Sequence, residues 1–208
     1  MAKIISFISR KGGTGKTTNA IQIATMLHSL GYKLALIETD TNYTLSTLRK
    51  MELFKSGAKD SGVFEIIGSE DGKVLGDIEA LHPQKMDFII VDSAGKTTDE
   101  NIKNLAIQSD AVIVPTSLTQ NDILVTYQTV QDLKPAQDIS KKLKIIVLPN
   151  RIHSRTNPVT IHKQLSDLKT VITENFVPAK NVYAQFSTIL PEKQYQDITR
   201  ELIGIIQS

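Results

Sequence analysis

The sequence predicts an α/β fold, a mostly parallel twisted sheet with helices on both faces, in one domain spanning residues 1–208. Three observations predict it. Short apolar runs of buried-strand length alternate with segments whose apolar residues recur at helical spacing, and that alternation implies parallel strands joined by crossover helices. The apolar runs end in polar residues, as at Asp92 and Asn150, and an open parallel sheet binds its ligands at the carboxyl ends of its strands. The chain also has 208 residues, 40% hydrophobic and 22% charged, a size and composition suited to one well-buried core.

Taken in order, residues 4–8 (IISFI) form the first strand. Arg10-Lys11-Gly12-Gly13-Thr14-Gly15-Lys16-Thr17-Thr18 follows as a glycine-rich turn, and a helix begins at once with Ala20, Ile21, Ile23, Ala24, Leu27 and Leu30 on its apolar stripe. Residues 33–39 (KLALIET) read as a buried parallel strand. The stretch 43–85 is the least regular: helices are expected at 45–54 and 73–81, with loops at the Gly, Ser and Asp clusters of 56–62 and 68–72. Residues 86–92 (MDFIIVD) are the clearest strand. Beyond it the pattern predicts a helix over 98–108, a strand at 111–115 ended by Pro115, a helix over 120–133, and a strand at 143–148 ended by Pro149 and Asn150. A helical region over 158–175, a short strand near 181–186 and a final helix over 192–206 complete the chain.

The turn after the first strand has the chemistry of a polyphosphate cradle. Its glycines let backbone N–H groups converge on phosphate oxygens, the helix N-terminus adds a positive dipole end, Lys16 supplies a point charge and Thr17 a hydroxyl for Mg2+. The general pattern G-x-x-x-x-G-K-[ST] asks for glycine where this chain has Arg10, but the remaining residues are more restrictive than the pattern they miss. We therefore expect a nucleoside triphosphate on Gly12, Gly13, Thr14, Gly15, Lys16, Thr17 and Thr18. Asp92 closes an apolar strand, the place where such proteins set the carboxylate that holds Mg2+ through water. Ser93-Ala94-Gly95 follows, small residues suited to sensing a terminal phosphate, so Gly95 joins the expected nucleotide contacts. Asp40, at the end of the second strand, is the candidate to position and activate the attacking water, and it stands with Thr17 and Asp92 as a metal-site residue. Glu38 lies on the same side of that strand, as a partner for Lys11 or Lys16 or as a more distant magnesium contact. Asn150 and Arg151 are candidate neighbours of the base.

Together these motifs resemble a known family. K-G-G-T-G-K-T-T at 11–18, E-T-D at 38–40 and F-I-I-V-D-S-A-G at 88–95 are similar to the deviant Walker A, Walker A′ and Walker B motifs of the ParA/MinD ATPases, most of all short plasmid-type ParA partition ATPases, in order along nearly all of the chain. Glu38 stands where the family usually has Asp, and Asp40-Thr41-Asn42 replaces its common D-P-Q. The resemblance implies a P-loop NTPase-type fold, ATP and Mg2+ as cofactors, and two copies closing face to face around two ATP molecules. Lys11 would then reach the nucleotide of the other copy and act with Lys16 and Asp40 in hydrolysis, which separates the dimer. In such a dimer residues 43–85 could lie at the interface.

The family divides by partner, some members coating DNA without regard to sequence and others sitting on membrane. Residues 134–208 carry 11 Lys and Arg against 6 Asp and Glu, while residues 1–133 carry 13 against 16. A basic last third suits a phosphate-backbone surface, with Lys141, Lys142, Lys144, Arg151, Arg155, Lys163, Lys169 and Lys180 as candidates. The membrane alternative needs an amphipathic C-terminal helix with a basic face; residues 195–208 have the apolar stripe Ile198, Leu202, Ile205 and Ile206 but only Arg200 as a cation, so packing on the domain is the better reading. We therefore expect a homodimer with ATP, nonspecific DNA, and a separately encoded centromere-binding adaptor. The MinD-like membrane role and a ParA-like ATPase of a DNA-transfer system are the alternatives. The chain has no cysteine, which excludes iron–sulfur electron carriers and cysteine zinc sites. A metabolic synthetase of related fold would have no need of Lys11. With the phosphate loop starting at residue 10, no N-terminal helix-turn-helix is expected. No apolar run nears the roughly 20 residues of a membrane span and Met1-Ala2-Lys3 leads into a strand, so a soluble, cytoplasmic, nucleoid-associated protein is expected.

Overall fold

The computed structural model describes residues 1–40, 42–57, 62–70, 72–95, 98–180, 183 and 186–208. Its centre is a parallel sheet of eight strands: β1 (Lys3–Phe7), β2 (Leu34–Glu38), β3 (Glu65–Gly68), β4 (Phe88–Asp92), β5 (Ala111–Thr116), β6 (Lys144–Ile152), β7 (Val171–Ile172) and β8 (Val177–Pro178). They lie in the order β3-β2-β4-β1-β5-β6-β7, and β8 pairs with the far end of β6. The helices are α1 (Lys16–Ser29), α2 (Thr44–Ser56), α3 (Val74–Leu81), α4 (Asp99–Gln108), α5 (Gln120–Ile139), α6 (Pro158–Leu165) and α7 (Tyr195–Gln207).

Because side chains alternate across a strand, each run splits between two cores. Ile5, Phe7, Leu36, Ile90 and Ile113 face one side, under Ile21, Ala24 and Leu27 of α1 and Ile198, Leu202 and Ile206 of α7. Ile4, Ile37, Val91, Val112 and Val147 face the other, under Ile78 of α3, Leu105 of α4, Leu133 of α5 and Leu165 of α6. The α7 stripe is thus buried on the domain, as its weakly basic polar side suggested. No helix among the described residues is long and apolar enough to cross a membrane.

Several boundaries differ from the sequence reading, each for a physical reason. Proline does not end β5 or β6, which run through Pro115 and Pro149 to Thr116 and Ile152. Backbone groups of alternate residues face opposite neighbours; Ile8 N–H reaches Ile113 O, so Pro115 faces the β1 side beyond the last β1 pairing, where its missing donor breaks no ladder bond. Helix α5 passes Pro135 and continues to Ile139. Pro135 is on the exposed face, where water can reach the carbonyl it leaves unpaired. The expected helix over 158–175 stops at Leu165; Lys169 turns the chain at φ 48°, and the β-branched run Thr170–Thr173 joins the sheet through β7. Of the strand expected near 181–186, residues 181, 182, 184 and 185 lie outside the described residues, and Tyr183 and Phe186 are in no strand; the strand of this region is β8. Finally, β3 lies inside the stretch read as irregular, a four-residue edge strand paired to β2. Of the loops expected there, residues 58–61 and 71 lie outside the described residues.

Candidate nucleotide site

Strand register assembles the site. Phe7 pairs with Asp92 and Asp92 with Glu38, so the segments following β1, β2 and β4 open at one place, the carboxyl edge of the sheet. The glycine-rich turn then swings directly into α1. Gly13 and Gly15 take φ of 75° and 97°, conformations that only glycine adopts without strain. Gly15 also has no room for a side chain, since a Cβ there would stand 2.3 Å from Asn150 Nδ2. As the N-cap of α1 it offers no side-chain acceptor, and the first turn holds no acidic residue. The opening N–H groups of α1 are therefore available to an external anion, backed by the helix dipole.

Lys16 is buried under this turn, its Nζ 3.5 Å from Lys11 O. Burial lowers its pKa and the charges of Asp92 and Asp40 oppose the shift. Asp92 is buried as well, 2% exposed, and burial pushes it up to about 7 against a hydrogen bond from Thr17 and the charge of Lys16, with Glu38 and Asp40 adding to the rise. Its Oδ1 is buried with no hydrogen-bond partner. An orphaned carboxylate oxygen beside a threonine hydroxyl fits a divalent cation, which would answer both the unpaired atom and the cost of the charge. No three His, Asp or Glu side chains converge among the described residues; phosphate oxygens and water would have to complete such a shell, the usual situation for Mg2+.

Around this pair the remaining predicted residues take distinct places. Asp40 is half-buried at the mouth, its Oδ1 accepting from the Asn42 N–H at 3.1 Å. Glu38 pairs with neither Lys11 nor Lys16: its carboxylate accepts from the N–H groups of Leu45 (2.8 Å) and Ser46 (3.4 Å) and so caps α2. Burial raises its pKa and these hydrogen bonds resist the rise. The capping role has a cause, for the residue before α2 is Tyr43, in a left-handed conformation and without a capping side chain. Ser93 and Ala94 are tied back, Ser93 Oγ donating to Phe7 O at 2.7 Å and Ala94 N–H to Thr39 Oγ1 at 2.9 Å. Gly95 backs onto the loop, where a Cβ would lie 3.4 Å from Lys16 Nζ and 3.6 Å from Gly12 Cα.

Lys11 turns away from its own loop. Its Nζ donates to Asp122 Oδ1 in the first turn of α5, while Ser117 Oγ donates to Asp122 Oδ2. The Lys11 and Ser117 hydrogen bonds outweigh partial burial and hold the Asp122 carboxyl below its ordinary pKa. Arg10 fastens the loop to two helices, through Asp99 of α4 at 2.7 Å and Asp132 of α5 at 2.5 Å. Neither acidic partner carries a motif that the sequence would single out.

Beside Gly15 and Thr18 a cavity of about 220 Å³ opens between α1 and the end of β6, lined also by Asn150, Arg151, Lys180, Tyr183 and Tyr195. The structure brings Asn150 and Arg151 here, but the Asn150 amide is engaged, donating from Nδ2 to Thr14 O at 2.7 Å. Asn19 supports the loop in the same way, donating from Nδ2 to Gly15 O at 2.7 Å while its Oδ1 accepts from Tyr195 OH at 2.9 Å. Asn19 and Tyr195 were not among the residues singled out by sequence, because their roles depend on α7 folding back over α1.

The architecture recurs in solved structures. Cobyrinic acid a,c-diamide synthase from Mycobacterium smegmatis, solved with bound ADP and magnesium, superposes with a TM-score of 0.74 at 16% identity, covering 100% of this chain and 96% of that one. A plasmid partition protein from Borrelia burgdorferi superposes at 0.70 with 19% identity, covering 98% and 99%. Among curated proteins, protein virC1 of Rhizobium rhizogenes is 30% identical over 142 residues, 66% of this chain; the matched part is 60% of that protein's length. The family model described as VirC1 protein matches residues 2–184, from the start of the sheet to beyond its last strand, and the chain belongs to the VirC1 family.

Proposed function

We propose that the chain is a Mg2+-dependent ATPase that pairs with a second copy when it holds ATP, binds DNA without reading its sequence, and is released by hydrolysis that a separately encoded adaptor stimulates. The observation that carries the reading is the group of buried Lys16, half-buried Thr17 and buried Asp92, with its orphaned Asp92 oxygen, at the head of α1, whose N-cap offers its opening N–H groups no side-chain acceptor. In this reading the loop residues Lys11 to Thr18 and Gly95 hold the phosphates, Thr17 and Asp92 hold Mg2+ with Asp40 near it, and Asn150 and Arg151 stand beside the nucleoside. Mg2+, when bound, neutralises charge on the terminal phosphates. Lys16 puts a fixed cation where charge develops in transfer of the terminal phosphoryl group, at no cost in reorganisation. Asp40, at the mouth, accepts a proton from the attacking water. Lys11, held by Asp122 of α5 rather than by its own loop, would leave that ion pair to serve the nucleotide of a facing copy.

The partner assignment rests on charge. The eight basic candidates divide in two. Lys141 and Lys142 pair with Asp138 and Asp110, and Lys144 is bound by Ile205 O and Ser208 Oγ, near the start of β6. Arg151, Arg155, Lys163, Lys169 and Lys180 are exposed and make no ion pair among the described residues, and Arg151 and Lys180 share the mouth of the cavity. DNA retention should therefore require ATP and fall steeply with salt. Filter binding with and without a nonhydrolysable ATP analogue, beside flotation on anionic vesicles, tests the reading. Nucleotide-independent DNA binding, or nucleotide-dependent binding to vesicles alone, would sink it. Asp40→Ala should bind ATP and accumulate as a dimer in size-exclusion chromatography.

A further inference from the structure

Asp40 stands in a short link between β2 and α2, and the inference drawn from that link rests on the ATPase reading above. Residues 39–43 contain no proline to stiffen them. Tyr43, the last of them, takes φ 46° and ψ 47°, a left-handed conformation that a bulky side chain adopts only where its surroundings impose it. Here they do. Its N–H donates to Asp40 O at 2.9 Å, and its O accepts from Thr47 N–H and Ser46 Oγ, each at 3.1 Å. Its ring lies against Gly68 at the end of β3, so close that a Cβ on Gly68 would stand 2.6 Å from Tyr43 Cδ1 and 2.7 Å from Cε1. Only glycine there admits the ring. Gly68 pairs with Glu38 and Glu38 with Asp92, so the ring is seated at the same carboxyl edge of the sheet as the nucleotide site. The turn that Tyr43 closes is the one that carries Asp40, whose Oδ1 accepts from Asn42 N–H at 3.1 Å.

We infer that Tyr43 is a positioning residue for hydrolysis: its ring, seated on Gly68, fixes the turn that aims the Asp40 carboxylate at the attacking water. A general base that is slightly misplaced loses rate without loss of substrate binding. The phosphate cradle is built on β1 and α1 instead, so rate and nucleotide affinity should separate.

Tyr43→Ala removes the ring, and Gly68→Ala pushes on it from the other side. Gly68 is not at a positive φ, and the nearest atoms to its new Cβ all belong to the Tyr43 ring, so alanine there acts through that contact. In single-turnover hydrolysis of ATP with Mg2+ by the full chain, each variant should be slower by on the order of 10-fold, and Tyr43→Phe should match the wild type. The double variant should be no slower than Tyr43→Ala, because both changes remove one contact. Affinity for a nonhydrolysable ATP analogue, by titration calorimetry, should be unchanged, and the ATP-bound dimer should persist longer in size-exclusion chromatography, as a partial form of Asp40→Ala. Wild-type turnover in Tyr43→Ala would overturn the inference and leave the ATPase reading standing. Loss of analogue affinity along with rate, or a dimer that weakens with it, would overturn it too, by making Tyr43 a prop of the fold. A slow Tyr43→Phe would place the role in the hydroxyl and refute the seating of the ring. A wild-type chain that bound the analogue but hydrolysed no ATP would overturn the ATPase reading and the inference with it.

Discussion

Asp92 bears the largest electrostatic cost in the site, and the cost is visible without any ligand. Its carboxylate is buried, shares its surroundings with Glu38 and Asp40, and leaves Oδ1 without a partner. Replacing it by the isosteric amide removes a buried charge that only Lys16 and Thr17 offset. Asp92→Asn should therefore raise the stability of the metal-free protein by about 1–3 kcal/mol, seen as a higher Tm in EDTA, while abolishing the Mg2+ dependence of nucleotide affinity. A lower Tm would show that the carboxylate is stabilising where it stands. Gly15 offers the opposite case. Gly15→Ala meets both a positive φ and an Asn150 amide 2.3 Å from the new Cβ, and should cost about 2–4 kcal/mol in unfolding free energy by denaturant titration. The residues that the phosphate motif names could be proposed from sequence because the role proposed for each is local to one turn. Asn150 was legible only as a neighbour of the site: that its amide is spent on Thr14 O depends on β6 ending beside α1, a long-range fact.

At the scale of elements, sequence patterns succeeded where a run was apolar and long, as in β1, β4 and α1. They failed where tertiary pairing decides. Glu65–Gly68 is too short to stand out, and becomes strand β3 because β2 offers it an edge. Likewise Thr170–Thr173 continues a helical pattern on paper, yet its β-branched residues join β6 once Lys169 has turned the chain. The junction of α2 with the segment before α7 was invisible for the same reason. Glu52 on α2 accepts from Ser187 Oγ and from both N–H and Oγ of Thr188, and Arg49 donates to Thr188 O at 2.6 Å and Phe64 O at 3.0 Å. Partial burial works to raise the Glu52 pKa, and the hydrogen bonds outweigh it, leaving it below its ordinary 4.5. A depressed carboxyl stabilises the fold above its unfolded pKa and loses that contribution as pH falls through the folded value. The wild type should accordingly exceed Glu52→Gln in denaturation midpoint at pH 7, and the two should converge below about pH 4. A gap that widened toward acid would contradict the assignment.

At the scale of the whole molecule, the proposed site has two sides to account for. One faces the cavity at the end of β6; the other faces out past Lys11, which rests on Asp122 of α5 instead of over its own phosphate turn. If a second copy supplies the missing cation, ATP occupancy, pairing and DNA retention form one linked equilibrium. Each protomer then brings its own exposed Arg151, Arg155, Lys163 and Lys180 to the same duplex, and two weak surfaces held together bind far more tightly than either alone. Lys11→Ala separates this account from a monomeric one, because Lys11 is not among those cations. With a nonhydrolysable ATP analogue the variant should still bind nucleotide, stay monomeric in light scattering, and lose DNA retention by at least about 10-fold. Arg155→Ala/Lys163→Ala should do the reverse, keeping the dimer while flattening the dependence of log affinity on log salt by about 1 for each phosphate contact removed. Should Lys11→Ala hold DNA as the wild type does while remaining monomeric, pairing would have no part in DNA retention, and the basic residues of a single copy would suffice.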